Sequence, residues 1–183
     1  MSVKPFIVLC LLSLIVFRPN GDEFVWSEGK KLTWEDFKAK PDSHSDAVAL
    51  TASGITFGYS YKQQRGSGEI ISFTTDVNAY FYPSKSWYHK DKANDYILQH
   101  EQLHFDITEL YVRKFRKEVE HLKLSKHIKT DLKRLQKDIN EALSKAQNAY
   151  DFDTTHSINK ARQQVWIDSI QSELLKLKAY KSH

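Results

Sequence analysis

The sequence predicts an α+β fold in which a small antiparallel sheet is followed by three long helices. Between residues 47 and 82 the chain is rich in β-branched and aromatic residues. In the second half of this segment, apolar and polar residues alternate as they do in a half-buried strand. From about residue 91 onward, apolar residues instead recur at three- and four-residue steps, the period of an amphipathic helix. The chain has 183 residues, 40% hydrophobic and 13% aromatic. This composition supports one domain with its own core and argues against disorder throughout.

The first 21 residues are predicted to be a signal peptide. Lys4 precedes an apolar stretch over residues 6–17, and Arg18-Pro19-Asn20-Gly21 follows it. As a helix the stretch would cover roughly 18 Å, at ~1.5 Å per residue, which is short of a ~30 Å hydrocarbon core. We therefore expect an exported protein, periplasmic or extracellular, with a single mature domain over residues 22–183. An uncleaved anchor or a buried helix is the alternative.

The composition excludes thiol chemistry in the mature domain. The single cysteine, Cys10, lies in the predicted leader, so neither a thiolate metal ligand nor a cysteine nucleophile would remain. The formal net charge is +4, and many lysines lie between residues 114 and 145 at helical spacing. We interpret them as a solvated helix face, and expect no nucleic-acid partner and no membrane span once the leader is removed.

The N-terminal half is predicted to contain the β structure. A short helix is expected at residues 32–37, where Thr33 is a suitable N-cap. Residues 47–61 and 69–82 are predicted strands that pair as an antiparallel hairpin, and Pro83 ends the second. We expect the strand ending near Tyr82 to be a sheet edge.

Three helices are predicted in the C-terminal half. They cover residues 91–121, residues 125–150 and a segment that begins near residue 155. The apolar positions of the second helix are Ile128, Leu132, Leu135, Ile139, Leu143 and Ala146. Thr155 is expected to cap the third helix.

The first helix contains His100-Glu101-Gln102-Leu103-His104, the pattern His-Glu-x-x-His. Four residues turn a helix through about 400°, so both imidazoles lie on one face, one turn apart. Imidazole is a good zinc ligand, and Glu101 lies beside such a metal, where it can accept a proton from a water that the metal has acidified. The motif therefore predicts a Zn²⁺ cofactor bound by His100 and His104, with Glu101 as general base. The alternative is two surface histidines on an amphipathic helix.

A catalytic zinc site needs a third protein ligand and an open position. His156 is the first candidate, because a place in the first turn of the third helix would disfavour its protonation and keep it available for metal. Glu141 on the second helix is the alternative. Weaker candidates, as hydrogen-bond partners of the ligand imidazoles, are Asp106, Asp151 and Asp153. Tyr150 is expected to pack, or else to hydrogen-bond a developing oxyanion.

Several short segments also carry a family resemblance. They are residues 32–37, Ser86-Trp87, residues 100–107, Tyr150-Asp151, Thr154, His156, Gln164 and Trp166. In these segments the chain resembles the DUF922 family, described as predicted secreted zinc-dependent proteases of Gram-negative bacteria. The resemblance implies that His156 is a functional residue. The chain departs from the family at Ser157, where the family tends to have glycine.

Together these patterns predict an exported zinc-dependent metallopeptidase that hydrolyses peptide or protein substrates. Two alternatives are a non-catalytic exported module that binds zinc or a partner, and a zinc hydrolase acting on another amide, such as cell-wall peptide. The intact Glu101 favours catalysis, because a purely structural site has no need of a base there.

Overall fold

The structure is a computed structural model that describes residues 22–182. The predicted signal peptide, residues 1–21, lies outside the described residues and remains a prediction. Among the helices that are described, none combines the length and apolarity needed to cross a membrane.

In the part of the chain that the structure describes, five antiparallel strands form two small sheets. The strands are β1 (Phe24–Val25), β2 (Ala49–Leu50), β3 (Ser53–Gln63), β4 (Ile70–Phe81) and β5 (Trp87–Tyr88). The larger sheet has the order β1-β4-β3, and β2 pairs with β5 in the smaller one. The long hairpin of β3 and β4, with Ser53 opposite Phe81, confirms the predicted pairing.

One expectation about the sheet was wrong: the strand ending near Tyr82 is not an edge. This strand is β4, and the N-terminal segment returns to pair with its end, with Phe24 opposite Phe81. The sequence gives no sign of this because β1 has only two residues. Within the described residues, β3 pairs only with β4, so the other side of β3 is a free edge of the sheet.

Three helices follow the strands, as predicted, and the fold is α+β. They are α1 (Asp95–Glu120), α2 (Ile128–Thr154) and α3 (Lys160–Lys176). The side chain of Asn94 caps α1 by accepting a hydrogen bond from the backbone of Ile97 at 3.0 Å.

The predicted cap of the third helix was also wrong. Thr155 instead ends α2 in a left-handed conformation, with φ of 49°. The cap of α3 is Asn159, whose side chain accepts a hydrogen bond from the backbone of Arg162 at 3.1 Å. His156 therefore lies in the turn between the two helices rather than at the start of α3.

Helix α1 lies at the centre of the molecule. One side packs against the sheet through a cluster that includes Phe81, Phe105 and Phe115. The other side packs against α2 and α3 through a cluster that includes Ile107 and Tyr150. With neighbours on both sides, α1 is a rigid support for the side chains of its first half.

The segment that follows α3 is bound to the second half of α1. Glu109 is fully buried and accepts hydrogen bonds from Arg113 Nε at 2.8 Å and from Ser182 Oγ at 2.9 Å. Arg116 Nη1 donates to the carbonyl of Tyr180 at 2.8 Å. These contacts hold residues 177–182, the C-terminal clasp, across α1.

Candidate metal centre

Helix α1 brings the two histidines of the motif together. Their ring centroids are 4.9 Å apart at an interplanar angle of 83°, and the two Nε2 atoms are 3.2 Å apart. Both side chains are largely buried, with 5% exposure for His100 and 13% for His104. The Nε2 atoms therefore face one another in a space mostly shielded from water.

Asp151, in the last turn of α2, completes a group of three possible metal ligands. Its Oδ1 lies 3.2 Å from His100 Nε2 and 3.0 Å from His104 Nε2. The three ligand atoms all lie within 4.8 Å of one another. Tetrahedral zinc with bonds of ~2.0–2.1 Å would separate its ligand atoms by about 3.3 Å. The spacing of the three atoms is close to this value.

The outer nitrogen of each imidazole faces a glutamine. Gln163 of α3 is fully buried, and its Oε1 lies 3.2 Å from His100 Nδ1. Gln147 of α2 places its Oε1 2.5 Å from His104 Nδ1. Each imidazole is thus held from both sides, with Nε2 in the cluster and Nδ1 against an amide.

The cluster changes the protonation of its own members. Partial burial alone would raise the pKa of Asp151, but its hydrogen bonds to His100 and His104 hold that pKa far below the ordinary value. Burial alone would lower the pKa of His104, but the hydrogen bond to Asp151 and the charge of Glu101 outweigh it and raise this pKa. Asp151 is therefore ionised, as a metal-binding carboxylate must be.

Glu101 lies beside the cluster with part of its carboxylate unsatisfied. The residue is 4% exposed, and its Oε2 is buried without a hydrogen-bond partner among the described residues. Its backbone carbonyl accepts a hydrogen bond from Thr51 Oγ1 at 3.2 Å. Because a buried, unpaired carboxylate oxygen is costly, a water or a ligand group would stabilise this atom.

The structure does not place the two predicted third ligands in the cluster. The His156 side chain is 75% exposed, and its Nδ1 lies 3.9 Å from Asp151 Oδ1. It belongs to a turn in which Thr155, His156 and Ser157 all have positive φ, at 49°, 49° and 72°. Glu141 is 56% exposed and lies 3.7 Å from Lys137 on the surface of α2.

Of the three aspartates considered as partners of the imidazoles, only Asp151 contacts them. Asp106 instead accepts hydrogen bonds from Trp26 Nε1 at 2.7 Å and from Gln102 at 2.8 Å. Asp153 accepts hydrogen bonds from Arg162 at 2.7 Å and from Trp166 Nε1 at 3.0 Å.

The ring of Tyr150 packs against the imidazoles of His100 and His104. Its fully buried ring stacks on His100 at 4.5 Å and 23°, and meets the edge of His104 at 4.9 Å. Its hydroxyl donates a long hydrogen bond, 3.5 Å, to the carbonyl of His100. Burial raises the pKa of this hydroxyl far above its ordinary value. Tyr150 therefore packs beneath the imidazoles.

Sequence reasoning did not identify Asp151 as a ligand, nor the two glutamines. A signal for two of them was present: Gln147 and Asp151 are four residues apart and share a helix face with Leu143. It was missed because the second helix was predicted to end at residue 150, before Asp151. For Gln163, which packs on α1 from a separate helix, the pattern of α3 offers no comparable signal.

The fold and the cluster define an α+β protein with a candidate divalent-metal centre. The model of the DUF922 family, described as "Bacterial protein of unknown function", matches residues 29–157, and this chain belongs to that family. The match covers more than half of the chain and includes all three residues of the cluster and Glu101, whereas α3 lies beyond it. No curated protein and no solved structure matches the chain.

Proposed function

We propose that this protein is a zinc-dependent metallopeptidase in which His100, His104 and Asp151 bind the metal and Glu101 is the general base. The observation that carries the proposal is the convergence of Asp151 Oδ1 and the two Nε2 atoms at 3.0–3.2 Å. The unpartnered Oε2 of Glu101 supports it further, since a zinc site that hydrolyses needs a base beside the open position.

The donor set fits zinc. Two imidazole nitrogens and one carboxylate oxygen match the three protein ligands of catalytic zinc sites, which leave the fourth position open. The same set also suits non-haem iron(II). The adjacent base Glu101 favours hydrolysis, and therefore zinc, because oxygen activation at iron needs no such residue.

The proposed role of each residue in hydrolysis follows from the position of its side chain. Bound zinc would supply Lewis acidity, which lowers the pKa of water toward ~7 and polarises a carbonyl group. Glu101 would accept the proton of the attacking water, with its buried position keeping other proton donors away. Tyr150 and the two glutamines would hold the imidazoles in place while this happens.

The free edge of β3 supports the proposal that the substrate is a peptide. The carbonyl of Ala52 accepts a hydrogen bond from Tyr82 N at 2.9 Å, so Ala52 faces β4. In an antiparallel pair the next residue, Ser53, turns its backbone groups to the opposite side. That side has no strand partner among the described residues, and Thr51, two residues before Ser53, donates a side-chain hydrogen bond to the backbone carbonyl of Glu101. An extended peptide paired to this edge would pass the metal centre.

The proposed place of action is outside the cytoplasm, in the periplasm or beyond the cell. This rests on the charge and apolar pattern of residues 1–21. Cell fractionation followed by mass analysis would test it: protein found only in the cytoplasm, with the first 21 residues retained, would contradict it.

The central test compares Glu101→Gln with the parent protein. We expect both to retain about one zinc per chain by metal analysis, since Glu101 does not bind the metal. Hydrolysis of an unfolded protein substrate should fall by roughly 10²–10⁴-fold, the usual contribution of a general base. Glu118→Gln, an exposed position on the same helix, is the matched control and should keep full activity.

Three results would count against the proposal. Equal activity of Glu101→Gln and the parent would exclude Glu101 as base. A parent protein that binds iron but not zinc would exclude the zinc site. Tight zinc binding combined with cleavage of cell-wall peptide, and no cleavage of protein substrates, would favour a hydrolase of another amide.

A further inference from the structure

We infer that Gln147 and Gln163 are positioning residues that fix each ligand imidazole in the tautomer with its proton on Nδ1, so that Nε2 presents a lone pair to the metal. The inference rests on the proposed metal centre and goes beyond it. It assigns a role to two amide side chains on different helices, neither of which belongs to the ligand set.

The argument for Gln147 begins with a backbone carbonyl. Gln147 Nε2 donates to the carbonyl of His104 at 2.9 Å and to Thr108 Oγ1 at 3.2 Å. A carbonyl oxygen only accepts, so the amide must turn its NH₂ group toward it. The oxygen of the same amide then faces His104 Nδ1, at 2.5 Å. An amide oxygen only accepts as well, and His104 Nδ1 must therefore bear the proton.

Gln163 repeats this arrangement from the opposite side. Its Nε2 donates to the carbonyl of Tyr96 at 3.4 Å, and its Oε1 faces His100 Nδ1 at 3.2 Å. The side chain is fully buried, so water cannot take the place of either partner. His100 Nδ1 must therefore also bear a proton, by the same reasoning.

The two glutamines oppose a competing arrangement. In the other tautomer, an imidazole would donate from Nε2 to Asp151 Oδ1, which lies 3.2 Å from His100 and 3.0 Å from His104. That tautomer would block the lone pair that a metal needs. The amide oxygens disfavour it, because it would leave each facing a nitrogen lone pair. Without a metal, an imidazole that keeps its proton on Nδ1 can carry a second proton on Nε2 and donate it to Asp151, and a bound cation takes the place of that second proton.

The choice of an amide also affects the charge of the site. Outer partners of zinc-bound histidines are often carboxylates. A neutral amide orients the ring without adding negative charge, so Asp151 would be the only charged ligand of the metal. We expect the bound ion to remain a stronger Lewis acid than it would with two additional carboxylates nearby.

The first measurement needs no variant. In the zinc-loaded parent protein, labelled with ¹⁵N at histidine, two-dimensional ¹H–¹⁵N spectra distinguish a protonated Nδ1 from a protonated Nε2. We expect His100 and His104 both to show protonated Nδ1 and metal-bound Nε2. A protonated Nε2 on either ring would overturn the assignment for its glutamine.

The second measurement uses Gln147→Leu and Gln163→Leu, which keep the side-chain volume and remove the amide. Zinc affinity, measured by competition with a chromophoric chelator, should fall by about 10–100-fold in each, as for other outer partners of metal ligands. Gln164→Leu and Asn148→Leu, exposed neighbours on the same helices, are matched controls and should bind as the parent does.

The outcomes separate this inference from the proposed function. If the parent binds no zinc, both fail. If the parent binds zinc and hydrolyses peptides, while the two leucine variants bind zinc within twofold of it, only the role of the glutamines is overturned. Should a leucine variant fail to fold, the tautomer in the parent protein still decides.

Discussion

Asp151 is the residue on which the composition of the metal centre depends. Among the described residues it is the only carboxylate that is hydrogen-bonded to His100 and His104, and both contacts use its Oδ1. His156 approaches the same oxygen at 3.9 Å but is three-quarters exposed. The structure therefore favours Asp151 over His156 and Glu141 as the third ligand.

At the scale of single residues, we predict that Asp151→Ala lowers zinc affinity by more than 100-fold. Removal of a metal ligand should cost more affinity than removal of a hydrogen-bond partner of a ligand. His156→Ala and Glu141→Ala should lose less than threefold, since neither side chain belongs to the group of three whose ligand atoms converge. Chelator competition measures all three. If His156→Ala loses zinc while Asp151→Ala retains it, the third ligand is His156 and not Asp151.

The sequence could predict some of these residues because their geometry is local. His100, Glu101 and His104 lie within five residues of one helix, and the helical period alone sets their directions. The cluster also needs Asp151, and its position depends on where α2 ends and how α2 packs on α1. That information is tertiary, and the spacing of residues in α1 does not contain it.

At the scale of elements, the turn between α2 and α3 has an unusual backbone. Thr155, His156 and Ser157 are consecutive residues with positive φ, a region that side chains other than glycine rarely adopt. The sequence predicted a helix start here, because Thr155 followed by polar residues suits an N-cap. A left-handed turn without glycine has no compositional signal, which is why this boundary was misplaced.

We predict that Ser157→Gly stabilises the protein by up to about 1 kcal/mol. Relief of a left-handed conformation is worth ~1–2 kcal/mol, and the greater freedom of glycine in the unfolded chain offsets ~0.4–1 kcal/mol of it. Denaturant unfolding measures the change. Ser169→Gly, an exposed position within α3, is the control and should destabilise. A less stable Ser157→Gly protein would show that the turn is not strained at this residue.

At the scale of the whole molecule, the candidate metal centre joins the three helices that the structure describes. The imidazoles come from α1, Asp151 and Gln147 from α2, and Gln163 from α3. The α+β class and the β3–β4 hairpin could be predicted, because each depends on a repeating pattern. The central position of α1 and the pairing of β1 with β4 could not be predicted, because they depend on how distant parts of the chain pack together.

Because the centre belongs to the folded state alone, we predict that zinc raises the melting temperature of the protein. Free zinc at 100 times its dissociation constant should add about 2.7 kcal/mol to the free energy of unfolding. Differential scanning fluorimetry with zinc, and then with excess chelator, would measure the shift and its reversal. Asp151→Ala should show almost no shift. An equal shift in that variant would mean that zinc binds elsewhere.

The C-terminal clasp also bears on when the chain can fold. Glu109 is fully buried and depends on Arg113 and Ser182 for its hydrogen bonds. Until the C-terminal clasp has bound, this carboxylate lacks one of its partners, so we expect the packing around the second half of α1 to be completed only when residues 177–182 are in place.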